Sequence, residues 1–400
     1  MGLNFSTRRV LLGGGQVIRY LLRDEFSDTR AAGAVDGTAA APGPGTRAVT
    51  DSLGNGLAVT GGAATMTTYV VAATDPSLSY VETFARTSGR VLLGQVSYTS
   101  DRIFGWGYVT ERINFANSDV VSVATSGNPA VGLMLINTIY DLAIVLRPAG
   151  IYVFFKGGTY TTWTLAWFDT HNVDDPVAFR FCTFQTPVGA TWRNHSNRIP
   201  IALWLPTPVA YDTFTRGDGA LGNSETSGPE SQAVFPRAWL NRVGTTEIDT
   251  NKASASALVG GIAIATVDTG TASVVMEGTC TRAGNEVGLV LRYADADNYI
   301  RAVHDGTNCQ LIKRVAAAET TVITAAVAIG AGVMRVQANG TAFRLFLNDV
   351  AVGAVQAIAD AALQTGTEHG VFSTNTGNTQ DGFLVFPSGA AGEYAALDDA

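Results

Sequence analysis

Residues 152–204 gather the side chains best suited to stacking chemistry. Twelve aromatics fall there, from Tyr152 to Trp204, a third of the 36 in the chain. An exposed ring can lie against the apolar face of a sugar while neighbouring amides and carboxylates bond its hydroxyls. Tyr160, Trp163 and Trp192 stand in turn-rich sequence, with Asp169 and Asn194 as polar companions. These five residues form a candidate glycan platform. Core packing or a subunit interface competes with that reading, because strand alternation buries many such rings.

Other chemistry is sparse. "ADADN" (294–298) brings Asp295 and Asp297 together, and Ca²⁺ takes oxygen ligands of this kind. A polar hairpin turn explains the same residues, so no cofactor is expected unless calcium binds there. The four histidines, His171, His195, His304 and His369, are dispersed with no i,i+4 metal pair, and no nucleophile elbow or phosphate-binding loop is present. A non-enzymatic protein is expected. Polysaccharide cleavage stays open as an alternative, since two carboxylates need only converge in space. Arg216-Gly217-Asp218 reads as an integrin-type tripeptide or as a turn. Two glycines, Gly217 and Gly219, around a capping carboxylate favour the turn.

These residues must be positioned by strands. Forty-four glycines, a 46% apolar fraction and only 15% charged residues give a chain of small and β-branched side chains, which favours strands and tight turns over helices. Uncharged polar surface suits an assembled or extracellular particle. The net charge of −8 argues against nucleic acid as the main partner. Residues 1–23 nevertheless carry four arginines and no acid, so Arg8, Arg9 and Arg19 mark an N-terminal arm (1–22) able to dock on neighbouring subunits. Thr7-Arg8-Arg9-Val10-Leu11-Leu12 resembles a twin-arginine export motif, but Gly13-Gly14-Gly15 and later charges cut its apolar stretch short. No segment is long and apolar enough to predict membrane insertion. Cys182, Cys280 and Cys309 are read as small buried apolar residues, with a Cys280–Cys309 bridge as the alternative.

The chain also echoes itself. Leu22–Asp28 ("LRDEFSD") matches Ala210–Arg216 ("AYDTFTR"), with Asp24 and Asp212 188 residues apart, which predicts a tandem duplication. The expected units are 23–209 and 210–388, followed by a tail (389–400). In the second, "VGLVLRY", "NYIRAVHD" and "CQLIKRV" are separated by polar turns, an antiparallel meander. Asn339-Gly340 predicts a hairpin between "VMRVQANG" and "AFRLFLND", Pro387 ends the last strand, and 354–366 has room for one or two helical turns. In the first unit "AIVLRPAGIYVFFKGG" reads as a hairpin. The fold class is therefore all-β, two tandem antiparallel β-sandwich (jelly-roll) domains behind a short N-terminal arm.

The second unit resembles the concanavalin A-like lectin/laminin-G jelly-roll superfamily over residues 211–387. The resemblance rests on "YDTFTRGDGALGN", "VGLVLRYADADNYIRA", "FRLFLNDVAVG" and "FLVFP", with Ala238-Trp239 in place of the usual Gly-x-Trp. It implies a jelly roll and calcium-binding relatives. Tandem units of this character also look like bacteriophage tail or virion-surface proteins. The expectation drawn is a virion structural protein, assembled in the host cytoplasm as a homo-oligomer (a trimer favoured) with other virion proteins, and adsorbing to host cell-surface polysaccharide. The alternative is a secreted, extracellular bacterial glycan-binding or adhesin module.

Overall fold

A computed structural model describes residues 19–50, 57–67, 77–81, 84–86, 90–97, 104–108, 112–116, 120–123, 135, 137–147, 150–158, 160–169, 175–179, 181–184, 191–199, 207–229, 233–348, 350–389, 394 and 397. The chain divides into two compact units, Met1–Leu205 with Ala391–Ala400, and Pro206–Ala390. All pairing between named strands is antiparallel.

Unit 1 has a large sheet running β13 (Tyr160–Asp169), β12 (Gly150–Gly157), β11 (Tyr140–Arg147), β7 (Arg90–Ser97), β16 (Thr191–Ile199), β4 (Ala63–Met66) and β3 (Leu57–Thr60). The opening strand β1 (Arg19–Asp24) pairs with the closing strand β16. A second sheet runs β10 (Val120–Val123), β9 (Arg112–Ala116), β8 (Phe104–Tyr108), β15 (Phe181–Phe184), β5 (Ser77–Tyr80) and β2 (Arg47–Thr50). A small ribbon pairs β14 (Asp175–Phe179) with β6 (Phe84–Arg86).

Unit 2 repeats the plan. Its large sheet runs β18 (Gly219–Ala220), β20 (Thr245–Asp249), β21 (Lys252–Ala257), β32 (Thr379–Pro387), β23 (Val274–Thr281), β28 (Ala331–Asn339), β29 (Ala342–Leu347) and β30 (Val350–Ala357). Again the opening strand, β17 (Ala210–Asp212), pairs with the closing one, β32. Its second sheet runs β19 (Leu240–Val243), β22 (Ala263–Asp268), β31 (Glu368–Ser373), β24 (Val287–Asp295), β25 (Asn298–His304), β26 (Asn308–Val315) and β27 (Ala318–Ala326). The sequence β3-β4-β16-β7-β11-β12-β13 across one large sheet is matched by β20-β21-β32-β23-β28-β29-β30 across the other. Two sandwiches with one topology account for the echo in the sequence.

The echoed motif is the hub of each unit. Asp24 and Asp212 are fully buried. Each accepts the backbone N–H two residues on, from Phe26 (3.0 Å) and Phe214 (2.7 Å), and both Phe residues sit at positive φ, 53° and 54°. Asp24 also binds Arg47 through two bonds of 2.7 Å and accepts from the Tyr80 hydroxyl. Asp212 binds Arg216 at 2.7 and 3.0 Å and accepts from the Trp239 indole at 2.7 Å. A buried carboxylate needs such partners to remain charged. Arg216 of the tripeptide therefore faces inward to its own domain, while Asp218 accepts from the Thr250 N–H. It is a turn.

Alternation fills the unit 2 core as the pattern predicts. Phe343, Leu345 and Leu347 face the other sheet's Leu289, Leu291, Ile300, Leu311 and Val371 in one cluster. Gly340 takes φ 54° in the hairpin, and the last strand ends at Pro387. The 354–366 segment holds one 3₁₀ turn, Ala361–Leu363, after β30 has used residues up to Ala357. Cys280 and Cys309 are free and fully buried, with burial pushing the Cys309 thiol up to about 12.

Two boundaries move. Residues 19–22 belong to β1, paired with β16, and Leu22 is buried, so Arg19 lies on a sheet strand rather than in an arm. Arg8 and Arg9 lie outside the described residues. The tail belongs with unit 1, where the Tyr394 ring packs on Phe154 at 4.8 Å. Among the described residues no helix is long and apolar enough to cross a membrane.

Candidate functional site

On β25, Ile300 and Ala302 point into the main core, and period-2 alternation sends Tyr299, Arg301 and Val303 to the opposite face. The same holds for Phe372 on β31, Val290 on β24, Ile264 on β22 and Ile312 on β26. This outer face therefore has its own apolar floor. A groove of about 380 Å³ opens over it, lined by Val243, Val259, Gly260, Ile262, Glu286, Ala296, Asp297, Tyr299, Arg301, Arg314, Glu319, Phe372 and Thr374.

Arg301 organises the groove. Its two terminal nitrogens bond both oxygens of Glu319, at 2.6 and 2.9 Å, and its Nε bonds Glu286 at 3.2 Å. This fork geometry is specific to arginine. The guanidinium carbon lies 5.1 Å from the centre of the Phe372 ring, and that of Arg314 lies 6.0 Å from Tyr299. Tyr293 and Tyr299 stack at 6.0 Å, with Arg242 over Tyr293 and paired with Glu368. Burial works against the Arg301 charge, but the Glu319 bonds and both carboxylate charges outweigh it and hold its pKa above the ordinary value. The same bond from Arg301 holds the Glu319 carboxyl below the usual range, and burial raises the Tyr299 phenol.

Two guanidiniums, Arg301 and Arg314, meet three carboxylates, Glu286, Glu319 and Asp297, in the lining. Near-cancelling charge with many fixed donors and acceptors suits a neutral polyol better than a polyanion. In the β24–β25 turn, Asp295 accepts from the Asp297 N–H (2.8 Å) and the Asn298 amide, while Asp297 meets Arg314. Both calcium candidates therefore serve the hairpin and the groove rim. Among the described residues no group of three or more His, Cys, Asp or Glu is placed to hold a metal ion.

The five glycan candidates lie in unit 1 and do not form an exposed platform. Trp192 is fully buried and Trp163 is 4% exposed. Tyr160 is half-buried with its ring edge-on to Phe155, and its phenol is pushed up to about 12 by burial. Asp169 ends β13 opposite Ile151. Asn194 is exposed, and it joins Trp163 in a separate cleft of unit 1. The groove residues Arg301, Glu286 and Glu319 were not anticipated. The signal for them was an outward-facing Tyr-x-Arg within "NYIRAVH", where a solvent face would carry small polar residues.

No family model and no curated protein matches the chain. Solved structures do. Carbohydrate-binding module CBM66 from Bacillus subtilis is 18% identical, covering 38% of this chain and 92% of its own, with a TM-score of 0.28. A β-1,3-glucanase from Mycobacterium marinum is 11% identical over 45% of this chain and 98% of its own, at 0.30. A xylan β-1,4-xylosidase from Bacillus halodurans C-125 is 10% identical over 85% and 86%, at 0.28. At TM-scores this low the likeness carries no argument about the role of this chain. These neighbours are carbohydrate-binding and glycan-cleaving proteins and give no link to phage, so the virion reading of the chain is withdrawn.

Proposed function

We propose that this chain is a glycan-binding protein acting outside the cell, and that its ligand sits in the unit 2 groove and is held without being cleaved. The observation that carries the reading is Arg301, forked between Glu286 and Glu319 above the Phe372 ring, with Arg314 beside it over Tyr299. Sugars present many hydroxyls, and this groove offers pre-aimed donors and acceptors from two arginines and three carboxylates, seated on the buried Phe372 and Tyr299 rings. Holding those groups rigid before binding lowers the entropic cost of ordering them.

Binding is favoured over hydrolysis by the state of Glu319. A glycosidase acid must keep its proton near neutral pH, so its pKa must be raised. Glu319 is shifted the other way by Arg301. The test is a glycan array probed with the full chain and with Arg301→Lys, which keeps the charge and loses the fork. Selective glycan capture by the wild type, weakened about tenfold or more in the variant, supports the proposal; one lost charge-assisted bond is worth roughly that factor. Capture unchanged in Arg301→Lys, or no capture, would overturn it.

A further inference from the structure

We infer that unit 1 carries a second carbohydrate site of different construction, a cleft for a single sugar ring built on a β-bulge. Gln95 on β7 lies opposite Asp141 on β11 and Arg193 on β16. Between Arg193 and Ser196 the pairing of β16 with β7 shifts register, and Asn194 takes φ 52°. A bulge of this kind re-aims a side chain. Here it leaves His195 buried against Phe26 and Tyr80 and puts Asn194 at the surface.

The three polar groups form a chain with one permitted polarity. An ionised Asp141 can only accept, so the 2.7 Å contact fixes the Gln95 amide with its NH₂ toward Asp141. The Gln95 oxygen then faces Asn194, whose NH₂ donates to it at 3.0 Å. The Asn194 oxygen is left as an acceptor, and Gln95 Nε2 and Asp141 keep further hydrogen-bonding capacity. All three residues line a cleft of about 240 Å³, with Trp163 and the Arg23–Glu25 pair in the same lining. The volume is below the ~300–1,000 Å³ typical of drug-sized ligands, which limits the occupant to about one ring.

Unit 2 supplies an internal control. Asp24 pairs with His195 and Asp212 pairs with Phe383, which aligns Asn194 with Gly382. Gly382 also has a positive φ, 61°, beside an equivalent register shift. The partners of that position align Gln95 with Thr279 and Asp141 with Val333. The same fold and the same bulge are therefore met by Thr, Val and Gly. The fold does not require the amide–carboxylate chain, and a ligand explains it. Its donors and acceptors, beside a tryptophan and with one carboxylate beyond the Arg23–Glu25 pair, match a neutral pyranoside.

The test uses the full chain, titrated with methyl β-D-glucopyranoside and methyl β-D-xylopyranoside to about 10 mM, tenfold above a Kd of ~1 mM. The Trp163 indole N–H signal is followed by NMR. Asn194→Gly removes the amide at a backbone conformation glycine accepts, and Asp141→Ala breaks the chain from its other end. Saturable movement of the signal, reduced at least tenfold in apparent affinity in both variants and retained in Arg301→Lys, is expected. No movement with either glycoside, or movement unchanged in folded Asn194→Gly, overturns the inference.

Discussion

The two units solve one structural problem with different residues. Asp24 is gripped by Arg47, which arrives from β2 with its side chain wholly buried. Asp212 is gripped by Arg216, four residues along the chain and 28% exposed in its side chain, and by the Trp239 indole. Topology and carboxylate are common to both, while the cation is distant and dry in one unit, local and wet in the other. The difference teaches that the Asp-x-Phe motif specifies a hub, and that its cost of failure depends on how its partner can be resolvated. The functional chemistry diverges further. Unit 1 places polar groups on the large sheet at its bulge, and unit 2 places them on the second sheet over aromatic rings.

The comparison can be broken most forcefully at the hubs. Asp24→Ala leaves the buried Arg47 guanidinium to Asp28 alone and orphans the Tyr80 hydroxyl and the Phe26 N–H, and is expected to cost about 3–5 kcal/mol, whereas Asp212→Ala is expected to cost roughly 2–3 because Arg216 can turn to water. Urea titrations of both variants check the order; equal losses would remove the distinction between dry and wet partners. The next effect is in acid. Burial holds His195 at about 3 and His369 at about 4, both below the ordinary 6.5. An unfolded chain takes up these protons first as pH falls, so stability is full above about 6.5 and lost progressively down to the folded values. His195→Phe, which installs the residue unit 2 carries at Phe383, is expected to flatten this acid loss in unit 1 and leave that of His369 in unit 2. Melting temperature against pH from 7 to 3 measures it, and an unchanged slope would contradict the assignment. The smallest effect is expected at Asp218, exposed and bonded to one backbone N–H. Asp218→Ala is expected to cost about 0.5–1 kcal/mol and to leave attachment of integrin-bearing cells at background, as with the wild type.

Much of the fold was legible because strand alternation and turn chemistry are local. "AFRLFLND" announces which residues face the core, and Asn339-Gly340 announces the hairpin. The duplication was legible because the hub carboxylate needs the same neighbour, a Phe at positive φ, in both units. The sites were not. Arg301, Glu286 and Glu319 come from strands or turns up to 33 residues apart in sequence (286 to 319) and meet only through sheet pairing. Trp163 and Trp192 looked exposed because their surroundings are rich in turns, but both lie within strands β13 and β16 and are buried. The bulge that turns Asn194 outward left no mark, since a one-residue register shift depends on the partner strand.

The central claim is that the unit 2 groove holds a sugar. The most direct measurement is a crystal structure of the full chain with the oligosaccharide it captures best on the array. The account predicts intact sugar in the groove, its hydroxyls bonded to Arg301, Glu286 or Glu319. Sugar bound elsewhere with that groove empty would contradict the claim, and a cleaved oligosaccharide would contradict the assignment of binding without hydrolysis.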